Sequence, residues 1–406
     1  MEIINVAFLG NKDHGKSTLI GNMLMHSGSA SQARINEAKK YSRRLHRGFE
    51  PGFILDSFAE ERREGMTYDT TRGEMEYKGG AFALIDVPGH EELIKNMISG
   101  ASYANFAVLL VSAKKGEGVT RQTKRHLFLA RMMGIEKAII AVNKMDTVAY
   151  RKERFEEIIR NIRPFLEGMG FEDGDLFFIP ISAYYADNLL SHSKNMKWYT
   201  GRSLFESMRL LGRRRSTADA DRLPLRVAVQ SVLNDDSGSV VTGRVISGRL
   251  RLGEQIKVLP QGSAGRIKRV FVGGKAVKAS RAGENVALGI GNFEEIPRGS
   301  VIAGKHDNLV AVDRINALIF FSRKPEKSIT INFCGVELGA SLAILNNIDV
   351  TTGKRIAGKC IKPLGAADVL LRTSKKIPAE PFGKNHELGR FTVYSKGLFI
   401  GIGIVK

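Results

Sequence analysis

The nine residues Gly10-Asn11-Lys12-Asp13-His14-Gly15-Lys16-Ser17-Thr18 decide how the rest of the chain is read. They match the spacing Gly, four residues, Gly-Lys-Ser, and they follow an apolar run at residues 3–9 that reads as a strand. A strand that ends in glycines and opens into a helix makes a phosphate cradle. The glycines let backbone N–H groups face phosphate oxygens, and the helix N-terminus adds its positive end. In such a loop Lys16 supplies a point charge and the Ser17 hydroxyl joins a Mg2+ shell, while Asn11, Lys12, Asp13, His14, Gly15 and Thr18 complete the nucleotide-binding stretch.

Working outward, short apolar runs at residues 82–85, 106–111, 138–142 and 176–181 alternate with stretches of helical character up to about residue 211. Runs that are apolar at every position suit parallel strands covered by helices on both faces. An α/β domain with a doubly wound, mostly parallel sheet is therefore expected over residues 1–211. In such sheets ligands bind at the carboxyl ends of the strands, which is where the remaining polar motifs fall. Asp86-Val87-Pro88-Gly89-His90 follows the second run: Asp86 is placed to hold Mg2+ through water, and Gly89 to turn its N–H toward a γ-phosphate. Asn143-Lys144-Met145-Asp146 closes the run at 138–142. A carboxylate at Asp146 accepts two hydrogen bonds from guanine N1 and N2, which adenine does not offer, so the nucleotide is GTP rather than ATP. Ser182-Ala183, with Tyr184 beside them, follow the last run and supply a backbone N–H for guanine O6. Between the first two motifs lies Glu61-Arg62-Arg63-Glu64-Gly65-Met66-Thr67, a polar segment that a γ-phosphate can order and that offers Thr67 as a second hydroxyl. The expected metal set is Ser17, Thr67 and Asp86.

The texture changes after residue 211. Residues 212–223, with Arg213, Arg214 and Arg215, read as a linker; from Pro224 onward Gly recurs among short Val/Ile-rich runs. Two antiparallel β-barrels are expected, at 224–311 and 312–406. The 406 residues exceed what one hydrophobic core usually holds. Hydrophobic residues at 43% and charged ones at 26% exclude a disordered chain and a membrane-embedded body. The 62 Lys and Arg exceed the 42 Asp and Glu, a formal charge of +20 that favours polyanions, RNA first among them. Cys334 and Cys360 show no zinc-ligand spacing and suit a reducing compartment. No basic leader precedes an apolar stretch, and no run approaches the roughly 18–20 residues that cross a bilayer, so no membrane association is expected.

The order and spacing of these motifs resemble the translation-factor GTPases, in particular the branch that contains archaeal and eukaryotic elongation factor 1-alpha. The likeness is carried by Asp13-His14-Gly15-Lys16-Ser17-Thr18-Leu19, Glu64-Gly65-Met66-Thr67, Asp86-Val87-Pro88-Gly89-His90 and Lys95-Asn96-Met97-Ile98-Ser99-Gly100-Ala101-Ser102. It continues in Gly238-Ser239-Val240-Val241-Thr242-Gly243-Arg244-Val245 and in Leu388-Gly389-Arg390-Phe391. The resemblance implies a GTP-binding domain followed by two β-barrels, switching between GTP and GDP, a tRNA or ribosomal partner, a guanine-nucleotide exchange factor, and a cytoplasmic monomer. It also implies catalytic roles for Lys16, Thr67 and His90. An imidazole at His90 orients the attacking water without needing to be a strong base.

Three departures stand out. Lys12 occupies the place of a small apolar gate residue, the segment before Gln122-Thr123-Lys124-Arg125-His126 is short, and the third domain is reduced, lacking the His-Thr-containing stretch expected where tRNA docks. The last two are shared with a sister family, the GTPase subunit of ATP sulfurylase, so a regulatory subunit of a sulfate adenylyltransferase is the alternative reading. The resemblance implies that Lys12 would bring a second cation toward the γ-phosphate, and Lys12 with Met66 is expected to take the place of the apolar gate. Lys12→Val is therefore expected to alter basal and stimulated GTP hydrolysis in a phosphate-release assay; unchanged rates would remove Lys12 from that role.

Overall fold

The computed structural model describes residues 3–46, 48–55, 71–87, 104–213, 217–235, 238–291, 296–358 and 361–406. They form two compact units, Met1–Arg214 with Val350–Lys354, and Arg215–Asp349 with Arg355–Lys406.

In the first unit β1 (Ile3–Gly10), β2 (Thr71–Tyr77), β3 (Gly80–Asp86), β4 (Phe106–Ser112), β5 (Ala138–Asn143) and β6 (Leu176–Pro180) make a sheet of order β2-β3-β1-β4-β5-β6. All neighbours are parallel except β2 and β3, a hairpin at the edge. Every residue of β4 and β5 is buried, which is why their sequences are apolar without alternation. Described helices are α1 (Lys16–His26), α2 (Gln32–Arg44), α3 (Arg121–Met132), α4 (Lys152–Gly168) and α5 (Leu204–Arg213). Leu19, Ile20, Met23 and Leu24 of α1 share one core with Phe8, Phe82 and Phe106 of the sheet. The strand order reverses at β1, whose neighbours are β3 and β4. Register then brings the carboxyl ends together: Phe8 lies beside Asp86, Gly10 beside Leu110, and Ser112 beside Asn143. The motifs, 130 or so positions apart in sequence, meet there because parallel strands in register place their ends at one level.

The second unit holds two closed antiparallel barrels of six strands each. The first runs through β7 (Arg226–Asp235) and β8 (Gly238–Ser247), and closes where Gln255–Leu259 pairs with Ser263–Val272. The second opens with Val312–Phe321 and closes where Ser328–Phe333 pairs with Val336–Ile348. The stretch expected to be a bare linker contains a short helix, Thr217–Arg222. Its Asp221 accepts hydrogen bonds from Arg249 Nε at 3.0 Å and from the Ala282 N–H at 3.3 Å, so this helix is tied to the first barrel. Among the described residues no helix is long and apolar enough to cross a membrane.

Two features join the barrels into one body. Leu259, Val301 and Ala303 of the first barrel pack in the same apolar cluster as Ile315, Phe321 and Val369 of the second. Beside them Arg226 uses all five guanidinium hydrogens: two to Asp307 at 2.9 and 3.0 Å, two to Glu380 at 2.8 and 2.9 Å, and one to the Leu225 carbonyl at 2.8 Å. Its side chain is 4% exposed. Removing one member of such a pair leaves charge buried without compensation, at a cost of roughly 3–5 kcal/mol. Arg226→Ala is expected to lower the stability of the barrel unit by about that amount in urea unfolding, while Arg226→Met combined with Asp307→Asn and Glu380→Gln loses less.

Candidate nucleotide site

The loop between β1 and α1 turns through Gly10 at φ 148°, Asp13 at φ 63° and Gly15 at φ 89°. Asp is among the few residues with a side chain that tolerate the left-handed region, so Asp13 fits where most would not. Gly15 is held to glycine twice over, by its φ and by space: a Cβ there would sit 2.5 Å from Asn143 Nδ2.

This loop forms one wall of a cleft of about 650 Å³. Lys12, Asp13, Gly15, Lys16, Ser17 and Thr18 line it from the loop and the start of α1. Asp86, Asn143, Lys144, Asp146, Ala183 and Tyr184 line it from the strand ends. The structure thus brings together twelve of the residues that the sequence singled out. Thr67, Gly89 and His90 lie outside the described residues.

Three others play supporting parts. Asn11 Nδ2 donates to Thr120 Oγ1 at 2.7 Å, fastening the loop to the N-cap of α3. His14 is buried and its Nδ1 lies 3.1 Å from the Leu110 carbonyl. A carbonyl only accepts, so the proton is on Nδ1. Burial pulls the His14 pKa down, and that carbonyl and Glu117 offset it only in part, which keeps the ring neutral. Ser182 Oγ donates to Asp146 Oδ1 at 2.6 Å and so aims the carboxylate.

Lys16 Nζ donates to the Gly10 carbonyl at 2.8 Å and the Asn11 carbonyl at 3.0 Å, so its stem lies under the loop. Burial draws its pKa down while Asp86 and Asp13 push it up. Ser17 Oγ donates to Asp86 Oδ2 at 3.0 Å. A hydroxyl and a carboxylate side by side are hard oxygen donors of the kind Mg2+ takes alongside phosphate and water, so these residues fit that ion.

Asn143 is the hinge pin of the site. Its Nδ2 donates to the His14 carbonyl at 2.8 Å, and its Oδ1 accepts from the Ala183 N–H at 2.8 Å. One buried amide therefore ties the phosphate loop to the loop after β6. The Ala183 N–H, expected to meet guanine O6, is engaged within the protein. Asn22 Nδ2 on α1 donates to the carbonyls of Ala183 and Tyr184 and supports the same loop from below. Lys144, left-handed at φ 63°, places Nζ 3.2 Å from Glu117 Oε2. Burial raises the Glu117 pKa, but hydrogen bonds from Ser112 and Lys144 outweigh it and hold the carboxyl below its usual range. Sequence reasoning missed Asn22, Glu117 and Thr120. Thr120 alone carried a local signal, since a Thr three residues ahead of Thr123 at a helix start is an N-cap pattern.

A phosphate-binding loop, a hydroxyl and carboxylate for a divalent cation, and an Asn-Lys-Met-Asp base-side loop, borne on a parallel sheet and followed by two β-barrels, define a P-loop GTPase of the translation-factor type. The comparisons agree over the whole chain. Residues 1–229 match the elongation factor Tu GTP binding domain, 238–303 match elongation factor Tu domain 2, and 327–406 match the GTP-eEF1A C-terminal domain-like family. Elongation factor 1-alpha of Aeropyrum pernix is 34% identical over 99% of this chain and 96% of that protein. The same factor from Ignicoccus hospitalis is 34% identical over 99% of this chain and 95% of its own length. For Nanoarchaeum equitans the values are 35%, 99% and 96%. The chain belongs to the elongation factor Tu and 1-alpha family of GTPases and hydrolyses GTP to GDP and phosphate. These matches favour the translation-factor reading over a sulfurylase subunit, and the third domain, though reduced, is a recognisable member of its own family.

His126 of α3 is buried behind the loop, and its Nδ1 has no hydrogen-bond partner among the described residues. Burial, with Lys16, Arg125 and His14 adding positive charge nearby, pushes its pKa down to about 3. The unfolded chain binds this proton near 6.5 and the folded chain refuses it until about 3. Stability is complete above the upper value and drains as pH falls through that window. The thermal midpoint is expected to drop between pH 7 and pH 4.5, and His126→Leu to flatten that dependence, leaving the share due to His14.

Proposed function

We propose that the protein is a GTP-dependent switch that carries aminoacyl-tRNA or engages the ribosome in its GTP form, in the cytoplasm, and that releases its partner after hydrolysis. The observation that carries this reading is the Asn143 amide, which couples the phosphate side of the cleft to its base side and so lets one nucleotide set both. The domain order supports it, as does the positive surplus of the chain.

In this reading the loop N–H groups and Lys16 neutralise charge on the transferring phosphoryl group. Ser17 and Thr67 would hold Mg2+ with Asp86 joining through water, and the ion would supply neutralisation of phosphate charge. Gly89 reports the γ-phosphate by its N–H. His90 orients the attacking water, Asp146 reads guanine N1 and N2, and Tyr184 covers the base edge of the cleft. The domains act as 1–211, a linker at 212–223, and barrels at 224–311 and 312–406. Arg266 and Lys268, exposed on the strand Ser263–Val272, and the exposed Lys375 and Lys376 are available to phosphates of an RNA partner. An exchange factor completes the cycle, with the protein acting as a monomer.

The test is binding to charged tRNA across a salt series, with a non-hydrolysable GTP analogue compared with GDP. Affinity confined to the GTP form and falling steeply with salt is expected. Equal binding in both nucleotide states, or preference for uncharged tRNA, would overturn the delivery role.

A further inference from the structure

Glu50 belongs to none of the motifs above, yet it lines the nucleotide cleft beside Ser17 and Thr18. Its Oε1 accepts a hydrogen bond from Thr18 Oγ1 at 2.7 Å and another from the Gly52 N–H at 3.3 Å. Thr18 is the third residue of α1, inside the turn whose N–H groups have no partner within the helix and which attracts anions. A carboxylate therefore stands in the first turn of the very helix whose field is used to hold phosphate.

The rest of the segment fixes it there. The Glu50 N–H donates to Ser42 Oγ at 3.1 Å, and Ser42 Oγ in turn donates to the Ala38 carbonyl at 2.8 Å within α2. Pro51 and Gly52 lie directly on α1: a Cβ at Gly21 would come within 1.9 Å of the Pro51 carbonyl oxygen, and one at Gly52 within 3.4 Å of Ser17. Glu50 cannot retreat without moving backbone that is packed on the helix. The charge of the cleft points the same way. Among the described residues its lining carboxylates, Asp13, Glu50, Asp86 and Asp146, outnumber its lining lysines, Lys12, Lys16 and Lys144, in a site that receives a polyanion. Asp86 is assigned to the divalent cation, Asp146 to the base, and Asp13 lies in the field of Lys16, whereas the Glu50 carboxylate is bonded, among the described residues, only to Thr18 and Gly52 and meets an incoming phosphate with like charge.

We propose that Glu50 is a built-in competitor of the nucleotide's phosphates at the first turn of α1, lowering affinity and speeding release of GDP. The inference rests on the cleft being the nucleotide site. Bound phosphate must take the Thr18 end of the turn from the carboxylate or share it against like charge, and either costs affinity. When the nucleotide leaves, Glu50 caps Thr18 again.

The experiment follows dissociation of a fluorescent GDP analogue from wild type, Glu50→Gln and Lys16→Ala, with guanosine and GTP affinities measured in parallel. Glu50→Gln keeps an acceptor for Thr18 and removes the charge. It is expected to slow GDP release by about five-fold and to raise GTP affinity similarly, the size of one anion removed from a helix N-terminus, with no gain for guanosine, which has no phosphate. Glu50→Ala repeats the reading without the hydrogen bond. Unchanged or faster GDP release in both variants, or an equal gain with guanosine, would overturn the role of Glu50 while Lys16→Ala still lost GDP. Retention of GDP by Lys16→Ala would instead overturn the cleft as the nucleotide site, and this proposal with it.

Discussion

The two hydrogen bonds of the Asn143 amide are the constraint on which the site depends. They join main-chain groups of His14 and Ala183, residues that follow β1 and β6, so the walls of the cleft cannot part without breaking them. Each half of the amide is used, and the buried environment makes an unmade bond expensive. The same side chain explains why Gly15 admits no Cβ, since Asn143 Nδ2 occupies the space one would need. Around this amide the other supports fall into place. Asn11 fastens the loop to α3, His14 fastens it to β4, and Asn22 carries the base-side loop on α1.

A different kind of constraint governs the barrel unit. Small barrels bury modest cores, and a shared apolar cluster together with the five-donor Arg226 makes two of them behave as one. The planar guanidinium suits this task, because two carboxylates approach it along separate edges without strain. A lysine at the same place would satisfy at most three acceptors.

Much of the site was readable in the chain because the phosphate loop is local chemistry. Glycine spacing, a lysine and a hydroxyl within nine residues specify the backbone shape and the ligand together. The strand-end motifs were readable for a related reason: strands buried on both faces are apolar throughout, so the first polar residue marks the end of the strand. The helix Thr217–Arg222 was not readable, because six residues of mixed polarity carry no period, and its contacts to Arg249 and Ala282 are distant in sequence. Glu50 and Glu117 were hidden for the same reason. Each sits in an ordinary polar loop, and only folding brings it to Thr18 or Lys144.

The sequence by itself determined the phosphate loop, the preference for guanine, the α/β domain followed by barrels, and the kinship with elongation factors, since all of these rest on residue types at short, fixed spacing. Tertiary structure alone decided which side chains hold the loop rather than the ligand, that Ala183 gives its N–H to Asn143, that a guanidinium locks the barrels, and that a carboxylate stands at the first turn of α1. These depend on pairs separated by 32 to 154 positions. Sequence spacing carries no information at that range, and what brings such groups within 3 Å is the register of strands and the packing of helices upon them.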